Sequence, residues 1–187
     1  MELIQHYDIR PSLTDPNLRT LDFANIFSAK FDRYLILFHG GRVDTNEGGF
    51  RKFGEYNFNY LKEDNTVDST NVYTYQENGG YSANTSHQPI DFDDNVTKHV
   101  LGKFSSSAET TYPFMKMWIN TPFNSDRRTT IHTQINGHDG TNYVYFGLGA
   151  GFHDATTRFT GFRLTNTSTS QANLYEGKLA VYGLGGG

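Results

Sequence analysis

Seven histidines, 20 acidic residues and no cysteine set the chemistry open to this 187-residue chain. The densest polar cluster in its sequence is His132, His138, Asp139, His153 and Asp154. Two histidines and a carboxylate can bind zinc or iron, which makes His132 and His138 candidate ligands. Their spacing argues against one shared ion. His132 falls inside a strand-like run, Thr129 to Gln134, and His138 and Asp139 sit in the turn signal after it. His153 and Asp154 follow the far end of the next run, Asn142 to Leu148. In a hairpin of these two runs, one strand length of roughly 20 Å separates the two loops. A second acidic run, Asp91, Asp93, Asp94 and Asn95, offers hard oxygen ligands for calcium. It lacks the glycine and closing glutamate of the common helix-loop-helix site and reads as a solvated loop. No metal and no other cofactor is expected.

Catalytic groups are equally sparse. Cleavage of a glycosidic bond needs two facing carboxylates roughly 5 to 10 Å apart. Glu47, Glu55, Glu63, Asp64, Glu77 and Glu109 fall mostly in loops, in no pattern that places two on one strand face. There is no Gly-x-Ser-x-Gly nucleophile elbow and no Gly-x-x-x-x-Gly-Lys phosphate cradle. Gly147, Gly149 and Gly151 alternate with Leu148 and Ala150, but no helix follows them to complete a nucleotide loop. Glycine on one strand face is better explained by a closely packed neighbour. No catalytic residue is assigned, and the expectation is a protein that is not an enzyme. The remaining handle is aromatic: Tyr56, Tyr60, Tyr73, Tyr75 and Tyr81, set among Asn and Asp, are candidate ligand or interface residues.

These groups must be positioned by strands. Val100 to Phe104, Phe114 to Asn120, Thr129 to Gln134 and Asn142 to Leu148 read as strands, and Phe159 to Leu164 and Gly177 to Leu184 alternate large apolar with polar or small residues. That period of two buries one strand face and wets the other. Tyr34 to Phe38 is a continuous apolar run, read as a central strand buried on both faces. Met1 to Ile9 and Leu21 to Phe23 read as short strands, and Ala24 to Lys30 as a turn of helix. Asn136-Gly137-His138-Asp139-Gly140 signals a hairpin loop, and Glu77-Asn78-Gly79-Gly80 a turn. The stretch from Arg42 to Ala108 is the least regular. About ten short strands with polar connections predict an all-β, antiparallel jelly-roll or β-sandwich, one domain over residues 1–187 with long loops. The first and last strands are expected to share a sheet, bringing the two ends together.

Composition agrees. Aromatic residues make up 15% of the chain, with 15 Phe and 12 Tyr, and supply the core that Leu and Ile supply in helical proteins. A net charge of −4 with scattered Lys and Arg disfavours nucleic acid as a partner. No apolar run approaches the roughly 20 residues of a membrane helix. Met1 to His6 lacks the basic start and apolar stretch of a signal peptide, so synthesis and assembly in a cytoplasm are expected.

Both ends of the chain resemble a known group. Met1-Glu2-Leu3-Ile4-Gln5, then Leu21-Asp22-Phe23-Ala24-Asn25-Ile26 and Arg33-Tyr34-Leu35-Ile36-Leu37, are similar to the openings of jelly-roll virion proteins of tailed bacteriophages. Phe159 to Leu164 and the closing Gly177 to Leu184 resemble that group's ending. The likeness covers about half of the chain, and Arg42 to Ala108 has no counterpart in it. It implies a virion protein assembled in the host bacterial cytoplasm: a capsid decoration (cement) protein, expected as a homotrimer on the major capsid protein. The alternative it implies is a tail or fibre module that recognises a host-surface glycan.

Overall fold

The computed structural model describes residues 1–9, 20–40, 53–70, 72–81, 91–105, 114–138, 144–166 and 177–185. Among them the alternating runs form twelve strands: β1 (Glu2–Ile9), β2 (Thr20–Phe23), β3 (Arg33–Gly40), β4 (Phe53–Leu61), β5 (Tyr73–Tyr81), β6 (Asp91–Val96), β7 (His99–Ser105), β8 (Phe114–Asn120), β9 (Thr129–His138), β10 (Val144–His153), β11 (Gly161–Asn166) and β12 (Gly177–Leu184). They make an eight-stranded sheet in the order β1-β12-β3-β8-β9-β10-β5-β6 and a four-stranded sheet in the order β2-β11-β4-β7. Every pairing between these strands is antiparallel. The pairs are nested: β1 with β12 in the large sheet, β2 with β11 in the small one, β3 with β8 in the large one, β4 with β7 in the small one and β5 with β6 in the large one. A long antiparallel ribbon wrapped so that successive pairs change sheet is the jelly-roll form of the β-sandwich. Glu2 pairs with Gly183, so the first and last strands lie side by side, as expected.

The core between the sheets is aromatic. Phe23 stacks on Phe162 with ring centroids 4.7 Å apart, Phe162 on Phe58 at 5.4 Å, and Tyr60 on Phe159 at 4.4 Å. Tyr34, Ile36 and Phe38 of β3, Met115, Met117 and Ile119 of β8, and Ile131 and Ile135 of β9 close it from the large sheet. The alternating glycines of β10 belong to this inner face. A Cβ on Gly149 would collide with Thr133 Oγ1. One on Gly151 would lie 2.5 Å from the Thr74 carbonyl oxygen and 2.8 Å from His99 Nδ1. The close-neighbour reading of those glycines therefore holds.

Tertiary pairing overrides several local signals. Glu77-Asn78-Gly79-Gly80 does not turn. It runs through β5, with Asn78 opposite Leu148 and Gly79 opposite Gly147 of β10, where two facing glycines let the backbones pair without side-chain crowding. Asp91 to Asn95 is not a loop but most of β6, held as an extended strand by pairing with β5. Asn136 and Gly137 continue β9 opposite Phe146 and Tyr145 rather than turning, and Asp139 to Tyr143 lie outside the described residues. Ala24 to Lys30 forms turns and extended backbone rather than a helical turn, with Asn25 at φ 57° and the Ile26 and Phe27 amides both donating to the Thr160 carbonyl. β3 is central but buried on one face only, since Leu35 and Leu37 are half-exposed on the other. That face belongs to the outer side of the large sheet.

Candidate functional site

Four of the five candidate tyrosines belong to the core. Tyr56, Tyr60 and Tyr73 are fully buried and Tyr75 is 8% exposed, which corrects their reading as contact residues. The reason is periodicity: Tyr56, Phe58 and Tyr60 occupy alternate positions of β4 and so share its inner face, as Tyr73 and Tyr75 share that of β5. The side chain of Tyr81 lies outside the described residues, as do those of Asp91, Asp93, Asp94 and His138. The structure also separates the histidine cluster. His132 is exposed mid-strand opposite Ala150, His138 ends β9 opposite Val144, and His153 sits at the other end of β10 opposite Thr129. Among the described residues no three His, Asp or Glu side chains come together as metal ligands.

A polar cluster that no local signal marks lies at the inner end of β10. His153 Nε2 is 2.8 Å from Asp68 Oδ2, although the two residues are 85 positions apart. Both are buried, at 0% and 2% side-chain exposure. His153 Nδ1 lies 3.2 Å from the Ala155 carbonyl oxygen, so each ring nitrogen faces a protein oxygen. Burial works to raise the Asp68 carboxyl pKa. It is nonetheless held below the usual range by the Thr70 hydroxyl (2.8 Å) and amide (3.2 Å), by His153, and by Lys62 at 3.4 Å. Tyr73 joins the cluster through its hydroxyl, which donates to the Asp68 carbonyl (2.8 Å) and accepts from the Tyr60 amide (3.1 Å). His99 stands beside it, with ring centroids 4.9 Å from Tyr73 and 6.0 Å from Tyr60. Neither His99 nitrogen has a hydrogen-bond partner, and burial, with His153 nearby, pushes its pKa down to about 3.

This cluster has the residue types of an active site but not the access. Its groups fasten the segment between β4 and β5 to the end of β10. The two tyrosines make the distinction measurable. Tyr73→Phe strips the Tyr60 amide of its hydroxyl partner and is expected to cost about 1–3 kcal/mol. Tyr60→Phe removes a buried hydroxyl with no partner and should leave stability level or raised. Urea unfolding of the two variants checks this, and an equal loss in both would refute the assignment.

Accessible chemistry lies elsewhere. At one end of the sandwich, a cleft of about 540 Å³ is lined by Asp32, Arg33, Asn120, Thr121, Asn124, Arg127, Leu184 and Gly185. Thr121 adopts φ 53°, costly for a β-branched residue, and is held there by its amide bond to the Asp32 carbonyl (2.6 Å) and its hydroxyl bond to the Arg128 carbonyl (3.1 Å). The broader feature is the outer face of the large sheet. Among the described residues, its exposed large apolar side chains are Leu3 at one margin and Phe146 and Leu148, 44% and 50% exposed, toward the other. A single cross-strand row joins Leu3, Tyr182, Leu35, Trp118, His132 and Ala150. Trp118, the chain's one tryptophan, is half-buried with Lys116 Nζ 4.4 Å from its ring centroid. The outward alternation of β8 and β9 signals this row in the sequence, but which face meets solvent depends on where the second sheet lies.

No protein-family model matches the chain, and no curated protein does so. A search of solved structures finds a family 7 alginate lyase, A1-II′, in complex with substrate. It shares 11% identity over 87% of this chain at a TM-score of 0.28, and this chain spans 63% of that structure's length. A likeness at that score bears on neither fold nor function. The chain stands as an all-β antiparallel sandwich of jelly-roll form whose open chemistry is carried by the outer face of its large sheet.

Proposed function

We propose that this chain is a non-enzymatic structural protein of a tailed-bacteriophage virion, a capsid decoration protein that assembles as a homotrimer on the shell. The observation that carries the reading is the pair Phe146 and Leu148, both exposed and two residues apart on the outward face of β10. Adjacent exposed apolar side chains on a regular strand mark a surface that another protein covers. The buried Asp68–His153 pair accords with this, since it stiffens the sandwich and reaches no substrate. A stable contact requires on the order of 1,000 Å² of buried surface, and a broad sheet face can provide it. The alternative, a tail or fibre module that reads host glycan, draws on a different observation: the outward Trp118 in its polar setting.

Mass-spectrometric counting of this chain in purified particles tests the reading. A capsid decoration protein gives copies on the order of hundreds per virion, following shell symmetry, whereas a tail component gives about a dozen or fewer. Absence from particles would refute both. The Phe146→Ser/Leu148→Ser double variant should fold with its unfolding midpoint unchanged and lose incorporation by about tenfold or more, the equivalent of about 1.4 kcal/mol. Undiminished incorporation would remove β10 from the contact.

A further inference from the structure

The outer face of the large sheet has a charge unlike that of the chain. On β3, β8, β9, β10 and β12, the outward described positions include Arg33, Lys116, Lys178, His39 and His132 and not one carboxylate. The whole protein carries a net charge of −4. Edge strand β1 adds His6, opposite Ala180, and Asp8, which lies opposite Lys178 at the margin. At the middle of this carboxylate-free area, Trp118 and His132 are cross-strand partners, and Lys116 and Gln134 are partners one step along the same two strands. Asn136, on the next outward position of β9, is exposed.

We propose that this face binds an acidic oligosaccharide, a chain of uronate-type sugars lying across β8 and β9 over Trp118. The indole gives a flat apolar platform for a sugar ring once the Lys116 ammonium, 4.4 Å from its centroid, swings aside to a sugar carboxylate. Lys116, already drawn to the indole, and His132 supply donors to the sugar carboxylates. Gln134 and Asn136 offer paired donor and acceptor groups suited to hydroxyls. A second copy of the chain is disfavoured, because apposing this face with itself sets like charges together. A nucleic acid is disfavoured because three Lys and Arg side chains over five strands are too few to track a phosphate backbone. The site goes beyond the assembly role and does not rest on it: it centres on Trp118, while Gln134 and Asn136 lie directly opposite Leu148 and Phe146, so a sugar and a covering protein would compete for the β9–β10 part of the face.

Because Trp118 is the chain's single tryptophan, its fluorescence reports on the site directly. Titration of the purified protein with oligogalacturonate should give a saturable emission change that weakens as salt rises toward about 0.15 M. Neutral cello-oligosaccharide and polyglutamate serve as the other two arms and should give none. Lys116→Gln, which keeps the fluorophore, is expected to weaken binding by about tenfold or more. Trp118→Ala, followed by affinity electrophoresis in oligogalacturonate gels, should abolish retardation, while Arg163→Gln on the small sheet should leave it unchanged. No saturable change at about 1 mM sugar would overturn the proposal. So would equal binding of polyglutamate, which would make the face a docking surface for acidic protein, or equal binding of the neutral sugar. Normal incorporation into particles alongside a failed titration would separate this failure from any failure of the assembly role.

Discussion

Replacing Asp68 with alanine is expected to lower the unfolding free energy by about 3 kcal/mol, because buried donors are left without their acceptor. The size follows from what is left behind. Asp68 accepts from His153 Nε2 at 2.8 Å and from the Thr70 hydroxyl and amide, with Lys62 Nζ 3.4 Å away. Without it, a fully buried imidazole faces no acceptor at Nε2, and water cannot reach it to compensate. Asp68→Asn keeps an oxygen for Thr70 and should cost less than the alanine variant. The measurement is the urea midpoint with the slope m unchanged, so that the shift reports stability and not a changed denatured state. A double-mutant cycle with His153→Phe should show a coupling of about 1–3 kcal/mol. A loss below about 1 kcal/mol in Asp68→Ala would mean that the pair contributes no more than an ordinary surface contact.

The second large effect is acid lability. His99 titrates near 6.5 when unfolded and near 3 in the native core, where burial and the neighbouring His153 disfavour its charged form. Between those values the unfolded chain binds a proton that the native protein does not, so stability falls as pH falls. The full difference is about 5 kcal/mol, developed progressively from pH 6.5 down to about 3. Asp68 acts in the same direction over a lower range. Its native carboxyl is held below the usual carboxylate range, so its contribution is present above that range and is lost as pH drops through the depressed native value. His99→Leu isolates the upper window. Neither His99 nitrogen has a partner to lose, so the variant should lie within about 1.5 kcal/mol of the parent at neutral pH. Between pH 6 and 4 its stability should be flatter than the parent's. A parallel acid slope in parent and variant would show that the destabilisation comes from other groups.

Much of the architecture was legible in the residues because strand periodicity is local. Phe114 to Asn120 reads as a strand from its apolar residues, and its burial alternates at every position. The same holds for Gly177 to Leu184, which pairs with β1 as the alternation and position in the chain led one to expect. The tyrosines show the limit of reading residue type without phase. Tyr56 and Tyr60 flank Phe58 at two-residue spacing, a pattern that puts all three on one face and, with Phe58 among them, marks that face as inner. The turn signal at Glu77 to Gly80 failed for a different reason: glycines that favour a turn in isolation equally suit a strand facing other glycines, and β10 provides them.

By itself, then, the sequence determined an all-β chain with an aromatic core, no thiol chemistry and a strand hairpin near its C-terminal third, because each of these depends on composition or on neighbours a few residues apart. Only the tertiary structure decided the rest. It brought Asp68 to His153 across 85 residues, buried His99 against Gly151, and placed the small sheet over one face of the large one. That placement turned Trp118, Lys116 and His132 toward solvent and Tyr60 and Tyr73 away from it. Alternation divides a strand into two faces but carries no sign. Which face is buried is settled by where the second sheet packs, and with it where this protein can meet a partner.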